Sequence, residues 1–237
     1  MTSRRVGRST TRPSEPARPS EPAPSEPSLP RFDRVARAVH WSNAAIFVVL
    51  IATAAVLYGA PGTSGIGYRS QMKVVHVWSG LILPVPILVG LALSAAVRDD
   101  ARRLARWTVD DRRWWSRRLR QRTRLGKFNP GQKLNATFTA AGIVVMSMTG
   151  SVMQWNSHFR DSWRTGATFV HDWTALALGL AIVGHVALAL RDRDSLRGMV
   201  SGRVSAAWAR RERPRWHAEL TAGASPTNDP LPVDDPR

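Results

Sequence analysis

The sequence predicts an all-α membrane protein: a bundle of four transmembrane helices with both termini on the cytoplasmic side and a disordered N-terminal extension. Three observations predict it. Four apolar runs each approach the roughly 20 residues that cross a bilayer core as a helix. None of these runs contains Lys or Arg, and their only acid is Asp172, near an end. The cations of a chain with net charge +17 fall mostly between and beyond the runs, as they do in the cytoplasmic segments of membrane proteins.

Residues 1–30 are built on a loose repeat, RPSEPARPSEPAPSEPSLP, in which closely spaced prolines and polar Ser and Glu can neither bury apolar surface nor form a helix. The segment reads as disordered or partly polyproline II. It lacks the apolar core of a secretory signal. The four runs follow: VHWSNAAIFVVLIATAAVLYGA (39–60), VVHVWSGLILPVPILVGLALSAAV (74–97), LNATFTAAGIVVMSMTGSVMQW (134–155) and TFVHDWTALALGLAIVGHVALAL (168–190). They are apolar nearly all round, whereas helices of a soluble bundle keep a polar face. Pro84 and Pro86 are expected to kink the second. Trp41, Trp78, Trp155 and Trp173 stand near run ends, where an indole favours the membrane interface.

Charge sets the orientation. Residues 98–133 hold thirteen Lys and Arg, including RRWWSRRLRQR, an amphipathic segment that would place its tryptophans toward lipid and its arginines toward phosphate. The N-terminal tail and the segment after 190 are also basic. The two other loops carry only Arg69, Lys73, Arg160 and Arg164. Both termini and the 98–133 loop therefore face the cytoplasm, and the positive charge is membrane topology rather than a nucleic-acid footprint. Nucleic acid is not expected as a partner; membrane lipid is. With no cysteine in the chain, a disulfide framework, a thiolate zinc site and a cysteine-ligated iron–sulfur cluster are excluded.

Four of the six histidines lie inside the runs: His40, His76, His171 and His185. An ionisable side chain in hydrocarbon needs a partner and suggests a function. Given the orientation, His76 and His171 lie near the outer face, and His40 and His185 near the inner face. His171 and His185 are fourteen residues apart, about 21 Å along a helix axis. Fourteen is also two heptads, so their rings share one side of the helix with a drift of only about 40°. Two sites stacked this far apart cannot share an ion, and no carboxylate cluster is available to complete a zinc site. Neutral imidazoles paired across facing helices suit the two axial positions of a haem iron. The depth pairing gives His76 with His171 for an outer haem b and His40 with His185 for an inner one. Gly80, Gly142, Gly179 and Gly184 supply small residues nearby. His158 and His217 lie outside the runs and are assigned no role.

Ahead of the third run stands GKFNPGQK (126–133), a Gly-Asn-Pro turn at the inner face. Together with RFDRVARAVHW, KVVHVWSG, the fourteen-spaced histidines and GMVSGRVSAAWARRERPRW, it resembles the gamma subunit of respiratory formate dehydrogenase, a membrane cytochrome b related to hydrogenase and b561-like cytochromes. The resemblance covers about 31–217, which becomes the four-helix di-haem domain. It leaves 1–30 and a disordered tail, 218–237, outside.

The resemblance implies iron ligation by His40, His76, His171 and His185. It also implies a menaquinone or other quinone beside the inner haem, touched by Asn129 and by extension Gln132, with Pro130 standing where members often carry alanine. It implies an iron–sulfur beta subunit and a molybdenum or tungsten catalytic alpha subunit as partners, in a bacterial cytoplasmic membrane. Formate would be oxidised in that alpha subunit and not in this chain. The same constellation would serve a nickel–iron hydrogenase or another molybdoenzyme, and a non-redox membrane anchor or transporter is the rival of another class.

Overall fold

The computed structural model describes residues 27–59, 68–116, 118–120 and 123–222. Four helical spans are long and apolar enough to cross a membrane: Arg34–Leu57, Arg69–Leu93, Pro130–Gln154 and Asp161–Arg191. We label them α1 (Arg34–Leu57), α2 (Arg69–Ile82) with α3 (Val85–Leu93), α6 (Pro130–Gln154) and α7 (Asp161–Arg191). The basic segments form the short helices α4 (Ala95–Ala105), α5 (Val109–Arg113), α8 (Arg193–Ser201), α9 (Ala206–Glu212) and α10 (Pro214–Ala222). Two three-residue strands, β1 (Ser28–Pro30) and β2 (Arg203–Ser205), complete the described elements.

Large apolar side chains on the spans face outward. Val48, Leu88, Leu93, Val144, Met148, Leu180, Val183 and Leu188 are all exposed. A water-facing surface of this kind would be prohibitive, whereas hydrocarbon solvates it while each helix satisfies its own backbone. The chain is thus a multi-pass membrane protein. The spans pair as α1 with α2 and α6 with α7, and α2 also touches α6. At Gly142 a Cβ would come within 2.7 Å of Leu178 Cδ2, so the missing side chain is what lets α6 and α7 approach so closely.

The second run departs from a single helix. It breaks at Leu83–Pro84, with Pro86 in the first turn of α3, as a ring lacking an N–H and clashing with the preceding turn requires. It then ends at Leu93. Ser94 caps a new helix by accepting from Val97 N–H at 3.2 Å, so the last apolar residues, 95–97, open the interfacial helix α4. The fourth span is longer than its apolar run, beginning at Asp161.

All the basic segments gather at one end of the bundle. β1 pairs antiparallel with β2 in the register Ser28↔Ser205, Leu29↔Val204, Pro30↔Arg203, which ties the chain ahead of α1 to the chain beyond α8. Val204, Trp208, Ala209 and Trp216 form a buried core there, with Leu29 and Leu220 against it. Gly202 turns the chain with φ 84°; a Cβ would meet Phe32 O at 2.7 Å. Arg31 is buried and stacks on Trp208 at 4.6 Å, with Arg213 at 5.2 Å from the same ring. Burial, and then the nearby Arg213, pull Arg31 down to about 9. The expected extension and tail fall mostly outside the described residues. Within them, 28–30 are β1 and 218–222 complete α10.

Candidate functional site

The bundle sets two histidine pairs along α7. Near the basic end, His40 of α1 faces His185 of α7 with ring centroids 6.1 Å apart and planes at 60°. Toward the far end, His76 of α2 faces His171 of α7 at 6.5 Å and 65°. These are the partners that depth alone suggests. His40 lies six residues from the start of α1 and His185 six from the end of α7, so both sit at one level of the bundle. The far pair lies deeper in its helices than the apolar runs imply, because α2 and α7 begin several residues before those runs. Three of the rings are half-buried, and His185 is exposed.

The spacing is chemically specific. With a metal–imidazole bond of about 2 Å and a ring radius of about 1.2 Å, two axial rings stand roughly 6 to 6.5 Å apart across one ion. Both pairs have that separation, so the residues present fit a bis-imidazole iron at each level. Among the described residues no group of three or more His, Asp or Glu could hold a metal ion, so neither pair has further protein ligands with which to build a zinc-type site. Space also fits. A Cβ at Gly179 or Gly184 would meet nothing within 4 Å, and Gly80 only a Leu50 methyl at 3.9 Å. Gly150 is different: its Cβ would come within 3.3 Å of His171 Cε1, so the ring would have to shift by a few tenths of an ångström to admit one.

Two threonines complete the far pair. Thr53 Oγ1 lies 2.9 Å from His76 Nδ1, and Thr149 Oγ1 lies 2.9 Å from His171 Nδ1. Thr53 comes from α1 and Thr149 from α6, so all four spans meet at the far pair. Thr53 stands thirteen residues beyond His40, nearly the separation of the two histidines on α7, which sets it at the level of the far pair.

The GKFNPGQK turn is a helix start. Asn129 is the N-cap of α6, its Oδ1 accepting from Gln132 N–H at 2.8 Å, while Gln132 Oε1 accepts from Asn129 N–H at 3.0 Å. This reciprocal capping box, followed by Pro130 at the first helical position, fixes the turn. Asn129 also lines a cavity of about 280 Å³ with Trp114, Arg120, Thr123, Leu125 and Arg213. The floor of this region is pinned by charge. Lys133 Nζ donates to Asp111 Oδ2 and to Arg106 O, each at 2.7 Å, with both side chains of the pair buried. Lys127 pairs with Asp100 at 2.5 Å. Burial pulls Lys127 down and pushes Asp100 up, each toward its neutral form, against their mutual attraction.

A lipid-facing four-helix bundle with two axially spaced imidazole pairs defines a membrane cytochrome of the b type. The chain belongs to the prokaryotic cytochrome b561 family, whose model matches residues 31–202, and membership implies haem b binding. Among its relatives, the nitrate-inducible formate dehydrogenase cytochrome b556(Fdn) subunit of Escherichia coli K12 is 23% identical over 194 residues, covering 78% of this chain and 88% of the relative. The formate dehydrogenase cytochrome b556(fdo) subunit of the same organism is 33% identical over 100 residues, 40% of this chain and 46% of that one. The formate dehydrogenase cytochrome b556 subunit of Haemophilus influenzae is 32% identical over 98 residues, 40% and 41% of the two chains. The expected resemblance to formate dehydrogenase cytochrome b subunits is met by these relatives.

Proposed function

We propose that this chain is the membrane-anchoring, di-haem cytochrome b subunit of a formate dehydrogenase, receiving electrons from an iron–sulfur subunit on the outer side and delivering them to a quinone, menaquinone or another, on the cytoplasmic side. The observation that carries this reading is the pair of ring separations, 6.1 and 6.5 Å, stacked along one helix. The relatives named as formate dehydrogenase cytochrome subunits support formate dehydrogenase as the partner enzyme, and we infer a molybdenum or tungsten subunit as its catalytic part. When bound, the two haems would supply one-electron carriers at two depths in the bilayer.

The rest is done by the chain's own groups. His40 with His185 and His76 with His171 are the residues that would hold the two haems. The concentration of Lys and Arg at the basic end supports a cytoplasmic side for that end and for both termini, in a bacterial inner membrane as the resemblance implies. Moving an electron from the far end to the basic end works against about 2.3 kcal/mol per 100 mV of membrane potential, so this placement conserves energy. Asn129 lines the cavity at the basic end. Its Oδ1 is held by the cap, which leaves its amide N–H₂ as the donor to a quinone carbonyl. Gln132 contributes by holding the turn and offers its own amide as a second donor.

Purification in mild detergent tests this reading. A reduced-minus-oxidised spectrum should show b-type bands, and an iron–sulfur subunit and a molybdo- or tungstoenzyme subunit should co-purify. A hydrogenase large subunit in their place would transfer the cytochrome to hydrogen oxidation. A featureless spectrum would leave only an anchor.

A further inference from the structure

Both far-end histidines are hydrogen-bonded through Nδ1 to a threonine of a neighbouring helix, and the proton bookkeeping has one favourable solution. A threonine hydroxyl has a single proton and two acceptor lone pairs. Thr53 Oγ1 lies 2.8 Å from Val49 O and 3.1 Å from Leu50 O; Thr149 Oγ1 lies 2.8 Å from Val145 O and 3.4 Å from Met146 O. Placing each hydroxyl proton on its own helix, the usual back-bond of a threonine inside a helix, makes two hydrogen bonds at the oxygen, against one if the hydroxyl donated to the ring. The oxygen can then only accept from the ring. Nδ1 therefore carries the hydrogen in both His76 and His171, and the lone pair lies on Nε2, the nitrogen available to a metal.

The basic-end pair is built differently. Trp41 flanks His40 edge-on at 5.3 Å, and among the described residues no protein group hydrogen-bonds the His40 or His185 ring. An acceptor on the outer nitrogen of a ligating imidazole fixes its tautomer and raises its basicity, and a more basic ligand favours the more highly charged iron.

We propose that Thr53 and Thr149 are positioning residues of the far-end pair: they hold His76 and His171 as Nδ1–H tautomers with Nε2 free, and they lower the reduction potential of the far-end haem relative to the basic-end haem. This rests on the reading of the histidine pairs as haem ligands. It gives the electron path a built-in direction, from the pair with hydrogen-bonded rings to the pair without them.

The test is redox potentiometry with low-temperature EPR on the purified complex, with a His171→Ala sample identifying the far-end signal. Thr149→Val keeps the shape and removes the acceptor; Thr149→Ser keeps the acceptor. With Thr149→Val the far-end haem should become easier to reduce, its oxidised-to-reduced ratio at fixed potential falling at least threefold, about 28 mV for a one-electron couple. The basic-end haem should not move, and Thr149→Ser should match the wild type. Loss of the far-end haem alone in Thr149→Val, with retention in Thr149→Ser, carries the same meaning. Thr53→Val should shift the same signal in the same direction, because Thr53 is the acceptor on His76. An unchanged potential in Thr149→Val, or equal shifts in the Val and Ser variants, overturns the proposal. A wild-type complex lacking two b-type components instead overturns the haem reading beneath it.

Discussion

Replacing Asp111 by Asn puts the basic end of the bundle to a quantitative test. Asp111 Oδ2 accepts from Lys133 Nζ at 2.7 Å, from Thr108 N–H at 2.7 Å and from Thr108 Oγ1 at 2.8 Å, and the side chains of Asp111 and Lys133 are 3% and 5% exposed. Lys133 has one other partner, the Arg106 carbonyl. Removing the negative charge strands a buried ammonium on neutral acceptors, and breaking a buried pair in this way costs about 3–5 kcal/mol. Asparagine retains an acceptor oxygen, so Asp111→Asn should fall near the lower figure, about 3 kcal/mol at pH 7. Adding Lys133→Met removes the stranded charge, and the double variant should recover at least about 1 kcal/mol of that loss.

The pH dependence carries a sign. Burial acts to raise the Asp111 carboxyl, but the hydrogen bonds from Lys133 and Thr108 outweigh it and hold the group below the usual carboxylate range. A depressed carboxyl stabilises the fold above its unfolded pKa, about 3.9, and that stabilisation disappears as the pH falls through the lowered value. The gap between wild type and Asp111→Asn should therefore be full at pH 7 and close below about pH 4. Unfolding by SDS titration in mixed micelles, followed by tryptophan fluorescence, measures both. A loss under about 0.5 kcal/mol, or strictly additive single and double variants, would refute a buried, coupled ion pair.

Two further substitutions separate structure from function. Gly142→Ala places a methyl group 2.7 Å from Leu178 Cδ2; it should destabilise the same titration by about 1–3 kcal/mol, and Leu178→Ala in the same chain should restore much of this. Asn129→Asp keeps a capping oxygen but removes the amide donor. The helix start should survive, since Asn and Asp cap about equally well, while quinone reduction falls at least tenfold in an assay with a soluble quinone analogue. Asn129→Ala should lose the cap as well, for about 1 kcal/mol.

Hydropathy located the spans because a bilayer demands uninterrupted apolar length. It measured their oiliness rather than their helicity. Asp161–Ala167 are helical although they include Asp161, Ser162, Arg164 and Thr165, so α7 starts before its apolar run, and Ala95–Val97 are apolar yet belong to an interfacial helix that Ser94 caps. Depth paired the histidines correctly in space because a helix converts residue number into height. The Thr53 and Thr149 contacts were not legible, since threonines in apolar runs are common and only the packing of α1 on α2 and α6 on α7 aims these two at a ring. The Asn129–Gln132 box was written in the sequence as Asn-Pro-Gly-Gln, the spacing a capping box requires. The Arg31–Trp208–Arg213 stack was not, because it joins residues from opposite ends of the chain.

The central claim is two imidazole pairs serving two haems, and haem stoichiometry tests it most directly. Pyridine haemochrome assay of the purified chain against amino-acid analysis should give two b haems for the wild type, one for His171→Ala and one for His40→Ala, the survivors differing in EPR signature. One haem or none in the wild type, or the same haem remaining in both variants, would contradict it.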